Sequence, residues 1–269
     1  MNSEREKRYL ELLIQPIRVC AEYKPRLGRG PKAGTTLHDF QKLYRNDPFY
    51  SWFGLYSPLM YAAHRAAGGM TSIYRQIGIG CERLIREILK DELELTQDEV
   101  EWSYSLTASG QKPRTLSLDA RIPLKSLRKP AQKKRIIGWI QQVAADCGIN
   151  REIIQALQGV VFEVRQGYKS KDSKRQNADI ANAATAYSQA YLPCVILLST
   201  QIDADIFARY QAAKWVMLSG LLAGATDRNS TYSFMQNVIG FDFATFFEAH
   251  AGTLREEVAK VLDALLRTE

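Results

Sequence analysis

Residues 159–199, GVVFEVRQGYKSKDSKRQNADIANAATAYSQAYLPCVILLS, constrain the fold of this chain more than any other stretch. They read as strand, basic polar turn, helix and strand. Over residues 160–168, alternation puts Val160, Phe162 and Val164 on one face and Val161, Glu163, Arg165 and Gly167 on the other. Residues 193–199 are apolar almost throughout, which marks a strand covered on both faces in an α/β sheet. A carboxylate and a guanidinium two residues apart in such a setting need a reason. Burying either one alone costs several kcal/mol, so the two are either paired or at work.

Residues 115–124, TLSLDARIPL, predict a partner strand. Leu116, Leu118, Ala120, Ile122 and Leu124 share one face, and Thr115, Ser117, Asp119 and Arg121 the other. Two strands thus offer Asp119, Glu163 and Arg165. Two carboxylates on adjacent strands are hard oxygen donors of the kind Mg²⁺ takes from protein while keeping several waters.

An Asp on one strand, Glu-x-basic on a later one, then a polar helix and an apolar strand resemble the PD-(D/E)XK nuclease superfamily. The basic tail KSKDSKRQNADI running into a helix looks like a type II restriction endonuclease. Leu118-Asp119 stands for the first element and Glu163-Val164-Arg165 for the second, and the likeness covers roughly residues 71–219. A branch of that family reading CCGG or CCNGG sites carries a second acid some fourteen positions after its lysine, where this chain has Asp179. In the same family the helix before the first core strand often adds a carboxylate, a position matched by Glu82 on a helix expected over residues 72–90.

The resemblance implies an α/β fold with a mixed central sheet flanked by helices, a restriction-endonuclease-like core. It divides the chain into a helical, aromatic region at 1–70, a catalytic core at 71–220 with a helical insertion at 125–158, and a helical extension at 221–269. It implies Mg²⁺ held by Asp119 and Glu163, with Glu82 or Asp179 as the auxiliary acid. It further implies double-stranded DNA as substrate, a homodimer or larger symmetric assembly, a companion DNA methyltransferase and a prokaryotic cytoplasmic setting. Where the family has lysine this chain has Arg165, whose guanidinium does not deprotonate and so neutralises charge rather than acting as a base. Lys169, two pleats further on the same face, is the alternative ammonium.

The turn after Glu163 is the candidate DNA reader. Lys169, Lys171, Lys174 and Arg175 stand against one acid, Asp172, and are followed by Gln176 and Asn177. These are the side-chain types that reach base edges in the major groove. A second basic loop, residues 23–34, holds Lys24, Arg26, Arg29 and Lys32 with no acid, three glycines and two prolines. It reads either as a solvated loop or as an arm along phosphates, with Arg26 and Arg29 leading. The basic run from Lys125 to Arg135 is open to the same two readings.

The 269 residues carry 36 Lys and Arg against 29 Asp and Glu, a net charge of +7 that suits an anionic partner. No apolar run approaches the length of a membrane span, and MNSEREKRYLELL is charged and helical rather than a leader. Four scattered cysteines lack metal or disulfide spacing, and His38, His64 and His250 lack ligand spacing. Neither a Gly-x-Ser-x-Gly elbow nor a phosphate-binding glycine loop is present. Elsewhere, Pro16 is expected to end or bend the first helix, and Gly68-Gly69 to break the chain before a helix capped by Thr71 or Ser72. The aromatics of residues 37–61 predict a packing layer. A capping box at Thr253–Glu256 is expected to open a last amphipathic helix, packed internally or against a second copy. Two further readings remain beside the restriction nuclease: a DNA-binding protein that has lost cleavage, and a structure-specific repair nuclease on the same fold.

Overall fold

A computed structural model describes residues 3–27, 33–106, 114–167 and 173–267. Five helices come first: α1 (Ser3–Arg18), α2 (Leu37–Arg45), α3 (Pro48–Trp52), α4 (Pro58–Leu93) and α5 (Gln97–Val100). Then follow β1 (Trp102–Leu106), β2 (Arg114–Leu118), β3 (Ala120–Pro123), α6 (Pro130–Asp146), α7 (Arg151–Ala156) and β4 (Gly159–Arg165). The rest is α8 (Ser173–Ser188), β5 (Tyr191–Leu197), α9 (Ala204–Ala212), β6 (Val216–Leu218), α10 (Thr231–Phe234) and α11 (Phe243–Leu266). The chain divides into two compact units, residues 1–80 with 249–269, and residues 81–248. No helix among the described residues is long and apolar enough to cross a membrane.

The second unit is mixed α/β. Its four-stranded sheet has the order β3-β4-β5-β6, with β3 antiparallel to β4 and the other pairs parallel. Helices α8 and α9 make the two parallel crossovers, as parallel pairing requires. Alternation along β4 sorts the core. Val161 joins a cluster with Trp102, Tyr104, Leu118, Ala183, Tyr210 and Trp215. On the other face Phe162 meets Phe234 at 5.8 Å between centroids, and Phe234 meets Trp139 at 4.5 Å. Strand β5 is buried along its whole length, as its unbroken apolar run predicts.

The strand expected over residues 115–124 serves two sheets. Its first half, β2, pairs with β1 in a separate hairpin, with Trp102 opposite Leu118. Its second half, β3, pairs with β4, with Ala120 opposite Phe162. The bend between them is Asp119. The apolar period of two runs through this residue unbroken, so nothing in the pattern signals the change of partner.

The first unit is helical. Ile17, Cys20, Ile73, Val261 and Leu265 form its buried cluster, so the apolar stripe of α11 packs internally at Val261 and Leu265. Three expected helix boundaries are not there. Pro16 lies inside α1, which continues to Arg18 and tightens into a short 3₁₀ turn at Val19–Glu22. Gly68 and Gly69 lie inside α4, because side chains there would collide: a Cβ would come 2.1 Å from the Tyr23 hydroxyl and 2.4 Å from Leu265, respectively. They serve close packing rather than a turn. Thr71, in place of capping a helix, donates back to the Ala67 carbonyl at 3.3 Å. Thr253 likewise sits mid-helix in α11, so its box opens nothing. Of the aromatics of residues 37–61, Phe40 and Tyr61 are buried, but Phe49, Trp52 and Phe53 are exposed, so the expected packing layer is only partly formed.

Candidate functional site

The site lies at the carboxyl end of β4, where the chain leaves the sheet toward α8. In an open α/β sheet this is the edge at which ligands collect. The backbone N–H of Asp119 donates to the Phe162 carbonyl at 2.9 Å, and its carboxylate Oδ2 accepts the Val164 N–H at 2.7 Å. A side-chain oxygen thus takes the place of a ladder carbonyl, which holds Asp119 against the residue between Glu163 and Arg165. From α4, Arg86 donates to the Asp119 carbonyl through Nε at 2.9 Å and a terminal nitrogen at 2.7 Å. The bend is pinned from both sides.

Glu163 is 5% exposed and Asp179, on α8, 4%. Both are served by one cation. The Arg165 guanidinium makes an ion pair with Glu163 and lies 3.5 Å from Asp179. The other Asp179 oxygen accepts the Tyr210 hydroxyl from α9. One turn beyond Asp179 on α8, Asn182 accepts the Tyr104 hydroxyl at 2.5 Å, which ties the hairpin to the same helix. Glu-x-Arg on a strand puts both side chains on one face, and fourteen residues later the return helix presents a third charge to that face.

Glu163, Arg165 and Asp179 are thus joined through one guanidinium, and the Asp119 carboxylate bonds to the backbone of Val164 between the two β4 residues. Glu82 lies on α4 one turn before Arg86, partly exposed. Among the described residues no three His, Cys, Asp or Glu side chains are grouped to hold a metal ion. Arg29, Lys169, Lys171 and Asp172 lie outside the described residues. Lys174, Arg175, Gln176 and Asn177 occupy the first turns of α8, and their side chains also lie outside the description. Arg26 is exposed, in the other unit.

The chain matches no family model, no curated protein and no solved structure.

Sequence reasoning missed Arg86 and Tyr210. Arg86 had a signal, since it stands four residues after Glu82 on the same face of the helix. Tyr210 had none, because a buried tyrosine in an amphipathic helix reads as core. All four cysteines are free thiols. Burial pushes the Cys81 thiol up to about 12, with the Glu82 charge as the second cause. Burial also raises Cys194 well above its ordinary value. Neither is a thiolate nucleophile near neutral pH. The chemistry on offer is carboxylate oxygens beside a fixed guanidinium.

Proposed function

We propose that this protein is a Mg²⁺-dependent, site-specific DNA endonuclease of the PD-(D/E)XK type, cutting both strands at a short palindrome. The single observation that carries the reading is the buried group of Glu163 and Arg165 on β4 with Asp179 on α8, beside which the Asp119 carboxylate accepts the Val164 N–H. Four charged groups from three elements, two of them almost fully buried, are costly to assemble for stability alone. Buried carboxylates beside a cation at a sheet edge are what a phosphoryl-transfer site requires.

The donor chemistry fits the implied metal. Asp119 and Glu163 would hold Mg²⁺ through two carboxylates, a number that suits an ion which otherwise keeps water and substrate phosphate as ligands. When bound, Mg²⁺ supplies an activated water and neutralises charge on the attacked phosphate. The residues of the chain do the rest. Arg86 and the Val164 N–H fix Asp119 in place. The Tyr210 hydroxyl holds Asp179, and Asp179 lies near the same terminal nitrogen of Arg165 that pairs with Glu163. Arg165 stays protonated and stabilises negative charge on the phosphoryl oxygens as the bond to the leaving oxygen breaks. Lys174, Arg175, Gln176 and Asn177 open the helix that starts beyond this edge, and Lys169, Lys171 and Asp172 precede it. In this reading these side chains contact base edges, Arg26 and Arg29 contact backbone phosphates, and a two-fold pair of subunits meets the two-fold site.

Incubation with plasmid DNA and Mg²⁺ tests the proposal. Discrete fragments that disappear with EDTA are expected. Binding without cutting would overturn it in favour of a non-cleaving DNA-binding protein, and cutting confined to junctions or ends in favour of a repair nuclease.

A further inference from the structure

Two neighbouring cavities in the helical unit, of about 680 and 530 Å³, share Glu22, Lys24 and Ala33 in their walls. The first adds His38 and Arg65, and the second Arg26 and Arg75. Four permanent cations thus face one acid, Glu22. Among the described residues Lys24, Arg26 and Arg75 have no ion-pair partner. That sets them apart from Arg18 in the same unit, which is paired with two acids.

Arg65 supplies an independent observation. Its two terminal nitrogens donate to the carbonyls of Arg267 and Ala264 at 3.1 and 3.0 Å. Among the described residues its buried Nε has no hydrogen-bond partner, and neither has the buried Thr35 hydroxyl. The two bonds from its terminal nitrogens hold the Arg65 guanidinium in a fixed place in the wall of the first cavity.

We propose that these two cavities form a phosphate-binding track that takes successive phosphates of a nucleic-acid backbone, with Lys24, Arg26, Arg65 and Arg75 as its contacts. Two adjoining hollows along one cationic wall suit a polymer of phosphodiesters better than one compact anion. Lysine and arginine neutralise such phosphates with release of counterions and without reading sequence. The track extends the phosphate contact that the nuclease reading gives Arg26, and it is tested apart from cleavage because binding here involves none of Asp119, Glu163 or Arg165.

The test uses the full chain in EDTA, so that cutting plays no part. Binding of a fluorescent duplex of about 20 base pairs, long enough to span several phosphate contacts, is followed by anisotropy against salt. The triple variant Lys24→Ala/Arg26→Ala/Arg75→Ala is compared with Lys7→Ala/Arg151→Ala/Arg255→Ala, which removes equal charge from exposed positions elsewhere. The track variant should flatten the slope of log affinity against log salt by about 2–3, with the control near wild type. Equal slopes in the two variants would overturn the proposal. The milder variant Arg75→Gln, expected to flatten the slope by about 0.9, gives the same decision if the triple variant fails to fold. Displacement of the duplex by millimolar pyrophosphate from wild type, with no slope change in either variant, would overturn it in favour of a small phosphate ligand. Absence of plasmid cutting alongside the expected slopes would count against the nuclease reading alone.

Discussion

Arg18 and Arg165 each bridge two carboxylates, but the first guanidinium is half-exposed and the second is largely buried. Arg18 reaches Glu257 at 2.6 Å and Glu11 at 3.2 Å with its side chain 51% exposed. Arg165 serves Glu163 and Asp179 with its side chain 12% exposed. The first arrangement joins helices α1 and α11 of one unit and is screened by water and salt. The second required three charges to be taken out of water, a cost that their mutual attraction offsets only when the geometry is good. The same residue types trim a surface in one place. In the other they carry a desolvation cost.

The contrast has measurable consequences, the largest at Arg165. Replacing it by Leu strands Glu163 and Asp179 without their guanidinium, and urea unfolding should show a loss of about 3–5 kcal/mol. Arg165→Lys keeps a charge but not the fork, and a smaller loss is expected in the same assay. Tyr210→Phe removes one bond from buried Asp179 and should cost about 1–3 kcal/mol by the same measurement. A loss at Tyr210 as large as that of Arg165→Leu would mean that the hydroxyl bond to Asp179 matters as much to the cluster as the guanidinium, since the ring and its packing on Trp215 are kept. Arg18→Ala should shift the midpoint far less than Arg165→Leu, and high salt should erase the shift. Equal effects at the two arginines would break the comparison.

The smallest effect is in acid. The Arg18 and Lys260 bonds lower Glu257 to about 2, below an unfolded carboxylate of about 4.3. The pair therefore contributes fully above the unfolded value, and its contribution fades as pH falls from there through about 2. Thermal melts of Glu257→Gln should differ from wild type near neutral pH and converge with it as the pH approaches 2. A difference that stays constant across this range would mean that Glu257 acts through packing rather than charge.

Much of the site was legible because it sits on regular elements. Asp179 is singled out only by the family resemblance, whereas alternation alone places Glu163 and Arg165 on one face of β4. Residues 159–199 fold as strand, helix and strand for the same reason. What escaped has no period. Asp119 changes sheets through one side-chain hydrogen bond to Val164, in a segment whose apolar pattern never breaks. Gly68 and Gly69 look like a turn in one dimension, and only Tyr23 and Leu265, distant in sequence, explain why a helix wants them. Asn150 caps α7 through a local bond, its side chain accepting the Glu152 N–H at 2.9 Å. Arg86 meets Asp119 across 33 residues, and such contacts leave no local mark.

The most direct test pairs wild type with Asp119→Asn, an isosteric change that keeps an oxygen acceptor for the Val164 N–H while removing the charge. Plasmid cleavage and duplex affinity are measured on both proteins, with unfolding curves as the control for folding. If Asp119 works on the phosphate, cleavage falls by about 10²–10³-fold or more while affinity and stability stay near wild type. Wild-type cleavage by Asp119→Asn, or no Mg²⁺-dependent cleavage by either protein, would contradict the assignment.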